Sequence, residues 1–188
     1  ARTVELDKED RKLVADLNLL TDKPVLYVCN VDEKSAATGN AHTEAVRAAI
    51  ADEKAEMLII AAATEADIAE LESYEERQLF LEDLGLKESG VARLIKSAYK
   101  LLSLETFFTT GADETRAWTY SRGMKAPQTA GVIHTDFEKG FIRAEVIKYA
   151  DYVSLGSEKA CRDAGKIGIE GKEYIVQDGD IMHFLFNV

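Results

Sequence analysis

Lys23-Pro24-Val25-Leu26-Tyr27-Val28-Cys29-Asn30-Val31-Asp32-Glu33 is the stretch from which the fold follows. Val25 to Cys29 is a short, unbroken apolar run, rich in β-branched and aromatic residues. Such a run predicts a strand buried on both faces, as in the parallel sheet of an α/β protein. Lys23-Pro24 stops any helix before it, because proline disfavours helical backbone in the residue it follows. Asn30, Asp32 and Glu33 stand at the carboxyl end of the run, which is where open α/β sheets bind their ligands. Asn and Asp after a strand are also common turn formers, so N-x-x-E by itself leaves both readings open.

Working outward, Ser35 to Asn40 reads as a loop and Asn40 to Asp52 as a helix with Val46, Ala49 and Ile50 on one side. Met57 to Ala61 is a second buried strand, completing a β-α-β unit whose crossover is expected to be right-handed. Ala61-Ala62-Ala63-Thr64-Glu65 follows it. Small side chains there let a ligand approach the backbone, or simply pack tightly. Tyr74 to Leu84 predicts an acidic helix with Leu79, Phe80 and Leu84 inward and Gly85 as its left-handed cap. Ser89 caps a further helix, whose stripe Val91, Leu94, Ile95, Ala98 and Leu102 is expected to lie on the sheet. Upstream, Leu13, Val14, Leu17 and Leu20 recur at helical spacing within Val4 to Leu20. A chain that opens inside a helix reads as a fragment.

After Leu102 the period changes. Glu105 to Thr110 and Thr115 to Tyr120 are β-rich and flank Gly111-Ala112-Asp113, a hairpin signal. A short helix over Ala126 to His134, a strand over Phe141 to Ile147 and helical turns over Asp151 to Leu155 and Ser157 to Ala164 follow. Asp178-Gly179-Asp180 turns the chain into a last strand, Ile181 to Phe186. This order predicts a compact α+β domain of β-grasp, ubiquitin-like type.

Among 188 residues, 46% are hydrophobic and 30% charged, the composition of an ordinary globular chain. No apolar run nears the roughly 20 residues of a membrane span. Cys29 and Cys161 lie far apart, which suits a reduced, cytoplasmic setting better than a disulfide framework. The net charge of −11 divides into −8 over residues 1–103 and −3 over 104–188. Neither part has the basic surplus of a protein that grips nucleic acid by its phosphates alone.

The spacing Asn30-x-x-Glu33 resembles the base-reading loop of P-loop GTPases, normally N-K-x-D, in the altered form carried by the YchF/Obg-like ATPases. Leu104-Glu105-Thr106-Phe107-Phe108-Thr109, Arg116-Ala117-Trp118-Thr119, Ala126-Pro127-Gln128, the block from Ala130 to Glu145, and Tyr174-Ile175-Val176-Gln177-Asp178-Gly179-Asp180 resemble that family's TGS domain. The resemblance runs from about Leu20 to Val188. It implies the end of a helical insert over 1–22, the distal half of an incomplete P-loop NTPase sheet over 23–103, and a TGS domain over 104–188. It also implies an adenine site formed by Asn30, Val31 and Glu33 with a second loop at Ala61, Ala62 and Ala63. ATP would be the nucleotide in place of GTP. Glu33 is one methylene longer than the Asp that accepts from guanine, and Val31 lacks the Lys stem that covers the purine. The amide of Asn30 can match adenine's donor amine and N7 acceptor, and a mismatched base leaves buried groups unpaired.

The family hydrolyses with a Gly-rich phosphate loop, a Ser/Thr on Mg²⁺ and switch elements. None is found here. Gly165-Lys166 is followed by Ile167 and has Ala160 where the first Gly belongs, and no D-x-x-G occurs. Alone, the chain is expected to be inactive, with the ligands of Mg²⁺ outside it. The resemblance further implies a ribosome partner, through the large subunit, with an rRNA contact by the TGS domain. Arg116, Trp118, Lys139 and Arg143 could form a cationic and aromatic surface for that contact, or ordinary cross-strand pairs. His134 and Asp136 fall short of the three or four ligands zinc needs and read as structural or partner-contact residues. The competing class is a non-catalytic TGS adaptor that binds RNA or protein, since TGS domains also occur in threonyl-tRNA synthetases and stringent-response enzymes.

Overall fold

A computed structural model describes residues 4–53, 55–111 and 114–187. They form two compact units, Ala1–Leu102 and Ser103–Val188. The first is built on strands β1 (Leu26–Asn30) and β2 (Glu56–Ile60), which pair in parallel from Leu26 opposite Glu56 to Asn30 opposite Ile60. Helix α1 (Lys8–Ala15) precedes them and α2 (Ala41–Ala49) connects them; α3 (Ala62–Glu70), α4 (Tyr74–Asp83) and α5 (Gly90–Leu101) follow. Asn40 starts α2 with a capping box: its side chain accepts from the His42 and Thr43 amides while Thr43 Oγ1 accepts from the Asn40 N–H. Ser73 and Glu76 do the same for α4.

Four expectations are corrected here. The α1 helix ends at Ala15, so Leu17 and Leu20 do not extend its stripe. On α4 the buried residue is Leu81, 3% exposed, and Leu79 faces solvent at 67%. These two lie about 200° apart around a helix, so one position decides the inward face. The β1 strand is not buried on both faces, because Val28 is 48% exposed. Likewise α5 packs on β1, β2 and α3, yet Val91, Ile95 and Leu102 of its apolar stripe stay more than half exposed. A two-stranded sheet offers too little surface to cover both.

The second unit comprises β3 (Leu104–Thr110), β4 (Thr115–Ser121), α6 (Ala126–Ile133), α7 (Thr135–Lys139), β5 (Phe141–Ile147), α8 (Tyr149–Leu155), α9 (Glu158–Asp163), β6 (Ile167–Glu170) and β7 (Ile181–Phe186). The sheet runs β4-β3-β7-β5-β6, with β3 and β7 parallel and the other pairs antiparallel. This is the β-grasp arrangement. Phe107, Tyr120, Ala130, Phe141, Met182 and Phe184 make the main core. A smaller cluster of Ile147, Cys161 and Ile181 packs with Phe108 and Tyr152. The hairpin closes through Gly111 N–H to Glu114 C=O, 2.8 Å; Ala112 and Asp113, and Val188 at the carboxyl end, lie outside the described residues. The expected helix over 126–134 stops one residue early because His134 turns to cap α7. Neither α7 nor β6 was anticipated.

A polar knot centred on the buried Asp180 ties the chain before β7 to the end of β5. Asp180 accepts from Lys148 Nζ (2.7 Å), the Tyr174 hydroxyl (2.6 Å) and the Gln177 amide (2.9 Å). Burial works against the Lys148 charge, but its hydrogen bonds to Asp180 and Tyr174 outweigh that and raise its pKa above 10.5. Burial, then the bond to Asp180, raises Tyr174 above 10.0. Both folded values exceed the unfolded ones. Their contribution to stability is therefore whole below about pH 10 and is lost as pH climbs through the raised values. The urea midpoint of this unit should fall above about pH 10, and less steeply in Tyr174→Phe. A midpoint equally steep in both proteins would contradict this role for Tyr174.

Candidate nucleotide-base site

Asn30 ends β1 and Ile60, its partner in register, ends β2. The pairing runs one step further, with Val31 N–H donating to Ile60 C=O at 2.8 Å. The two loops therefore leave the sheet side by side. Ala61 precedes α3 but has no side chain with which to cap it. Asn30 supplies the missing acceptor from across the sheet, its Oδ1 taking the Ala62 N–H at 3.0 Å. The structure thus brings Asn30 and Ala62 together, with Ala61 buried beneath and Ala63 exposed beside them. With one lone pair of Oδ1 engaged, Asn30 keeps its two Nδ2 donors and one acceptor position for a ligand.

Val31 is half-buried and Glu33 is exposed, opening a single 3-10 turn over Glu33–Ser35. Asp32 caps that turn, accepting from Ser35 N–H at 3.0 Å. Hydrogen bonds from the Ser35 side chain and then its backbone hold the Asp32 carboxyl below its ordinary 3.8. Asp32 is occupied in shaping the loop, which leaves Glu33 as the acid presented outward.

Two further residues reach this corner that sequence reasoning did not single out. Glu65, one turn into α3, accepts from Gly90 N–H at 2.6 Å and Val91 N–H at 3.3 Å. Arg93 Nη2 donates to Ile59 C=O at 2.8 Å, on β2. A carboxylate four residues beyond a strand was visible in the sequence, but nothing local indicated that it would reach another helix.

Other candidates resolve into structural roles. His134 Nδ1 accepts from Asp136 N–H at 3.2 Å as the cap of α7. Trp118 is covered on one side by the Arg116 guanidinium, 4.1 Å from the ring centroid, and stacks on Phe107 at 6.5 Å. Its Nε1 donates to Thr109 Oγ1. Trp118 thus has Arg116 of its own strand over one face and its cross-strand partner Phe107 beside it. Arg143 sits on β5 beside the inward-facing Ala144 and so points to the opposite side of the sheet from Trp118. The four residues Arg116, Trp118, Lys139 and Arg143 therefore do not form one surface. Among the described residues, no group of three or more His, Cys, Asp or Glu is placed to hold a metal ion. No helix among them is long and apolar enough to cross a membrane.

A parallel α/β corner with paired loops, followed by a β-grasp unit, is the architecture of a GTPase-related chain. The structure of the Schizosaccharomyces pombe YchF GTPase superposes with a TM-score of 0.85 at 35% identity, over 98% of this chain and 49% of that one. Residues 104–187 match the family YchF-GTPase_C, described as "Protein of unknown function (DUF933)". The whole chain is 53% identical to the ribosome-binding ATPase YchF of Bacillus subtilis and 51% identical to that of Haemophilus influenzae, spanning 52% and 51% of those proteins. The chain belongs to the YchF family, over its carboxyl-terminal region, and spans about half the length of the curated relatives it matches. The relatives' names divide between ATPase and GTPase, which makes the choice of base the question this corner bears on.

Proposed function

We propose that this chain carries the base-reading loops and the TGS-type module of a cytoplasmic, ribosome-associated ATPase. The carrying observation is the 3.0 Å bond from Ala62 N–H to Asn30 Oδ1, which locks the two loops into one corner. In this reading Asn30 Nδ2 donates to purine N7, and Ala61 to Ala63 leave room for the base edge. Because N7 is common to adenine and guanine, that contact alone selects a purine and does not choose between them. The choice falls to Glu33, too long to take the place of the Asp that accepts from guanine, and to Val31, which lacks a Lys stem. The triphosphate and Mg²⁺ are assigned to sequence outside this chain. The ribosomal contact, with the large subunit and its rRNA, is assigned to the second unit by relationship to the named relatives.

The test is a chimera in which this chain replaces the matching region of a full-length YchF-family protein. Val31→Lys with Glu33→Asp should shift the ATP-to-GTP affinity ratio at least about tenfold towards GTP, while the parent co-sediments with large ribosomal subunits. An unmoved ratio overturns the reading of the base. Co-sedimentation without any nucleotide binding would favour the adaptor, which the self-contained sheet and core of the second unit would permit.

A further inference from the structure

The base corner needs Ala62 N–H to stay opposite Asn30, and α3 has no cap of its own to hold its first turn there. An acidic residue in a first turn ordinarily serves its own helix by facing the positive end of the dipole. Glu65 instead reaches across to α5, whose opening N–H groups have no partner within their own helix. It takes those of Gly90 and Val91, while Ser89 takes that of Ala92 at 3.1 Å. Arg93, one turn further, fastens α5 to the β2 carbonyl of Ile59. The result is a closed circuit: β1 through Asn30 to α3, α3 through Glu65 to α5, α5 through Arg93 back to the sheet.

We propose that Glu65 is a positioning residue for base recognition: it fixes the first turn of α3 so that the Ala61–Ala63 turn is presented at Asn30. A Cβ on Gly90 would meet Glu65 Oε1 at 2.7 Å, its Cδ at 3.1 Å and Ile60 Cγ1 at 3.2 Å. The tightest of these contacts falls on the end of the flexible Glu65 side chain, and all three are with side chains, so Gly90→Ala should dislodge the carboxylate while sparing the backbone. Two unrelated changes, one removing the acid and one pushing it aside, therefore open the same circuit. The inference rests on the base-reading function proposed above.

The chimera serves again, titrated with ATP and with inorganic tripolyphosphate, which has no base. Glu65→Ala and Gly90→Ala should each weaken ATP binding about tenfold and leave tripolyphosphate binding unchanged. Glu65→Gln, which keeps one acceptor oxygen, should restore most of the loss. A general folding defect would weaken both ligands together, and that result, or an unchanged ATP affinity, overturns the role of Glu65. The Val31 and Glu33 double substitution separates the two ideas. If it fails to move base preference while Glu65→Ala still lowers the ATP-to-tripolyphosphate ratio, the reading of the base is wrong and the circuit stands.

Discussion

Asp180→Ala is expected to destabilise the second unit by about 3–5 kcal/mol, the range for removing one partner from a charge pair, here one whose carboxylate is buried. Asp180 is 1% exposed and receives donors from Lys148, Tyr174 and the Gln177 backbone. Without it the Gln177 amide and the Tyr174 hydroxyl lose an acceptor in a site that water reaches poorly. Lys148 is nearly half exposed and can swing its ammonium outward, which places the cost at the lower end of that range. Asp180→Asn keeps the shape and one acceptor oxygen, so its loss should be roughly half as large. Trp118 is the only tryptophan and lies in this unit. Urea titration followed by its fluorescence therefore reads the unit selectively. An alanine variant within about 1 kcal/mol of the parent would show that the knot is dispensable.

Gly140→Ala should cost about 3 kcal/mol by the same measurement, for a steric reason. Gly140 joins α7 to β5 with φ −86°, a conformation any residue adopts. The obstacle is space. An added Cβ would lie 2.0 Å from the Asn187 carbonyl oxygen and 2.9 Å from its carbon. Both are backbone atoms, held by the bond from Asn187 N–H to Gly140 C=O at 2.9 Å. Relief requires the strand end to move and to give up that bond. Gly156→Ala is the contrast: its φ is +80° with nothing near the added carbon, so it should cost only about 1 kcal/mol of conformational strain. If the two substitutions cost the same, close approach is not what Gly140 provides.

Much of this was legible from residue order. The apolar runs at β1 and β2, the Ser89 cap, Gly85 after α4 and the change of period after Leu102 are local signals, and each appears near its expected place. What escaped the sequence was set by distant partners. Whether Val28 is covered depends on which element lies over the sheet. Leu79 and Leu81 are both leucines at neighbouring positions, and only tertiary packing picks the inward one. The four-residue β6 strand is short and contains Gly168, so its pairing with β5 decided it. In the base corner, Asn30 and the alanine turn were readable as loop ends of paired strands. The use of Asn30 as a cap for α3, and the reach of Glu65 to α5, were not, because they join residues far apart in sequence.

The strand order carries one more consequence. Strand β7 sits between β3 and β5, and Phe108 is paired with Ile181. As the polypeptide emerges during synthesis, the β3–β4 hairpin can close early, and β5 can meet β6, but the two halves share no strand until β7 arrives. Pairing so remote in sequence makes for slow closure and leaves apolar edges open meanwhile. The two halves of this sheet can therefore join only once β7 is in place, and until then each has only its local pairing.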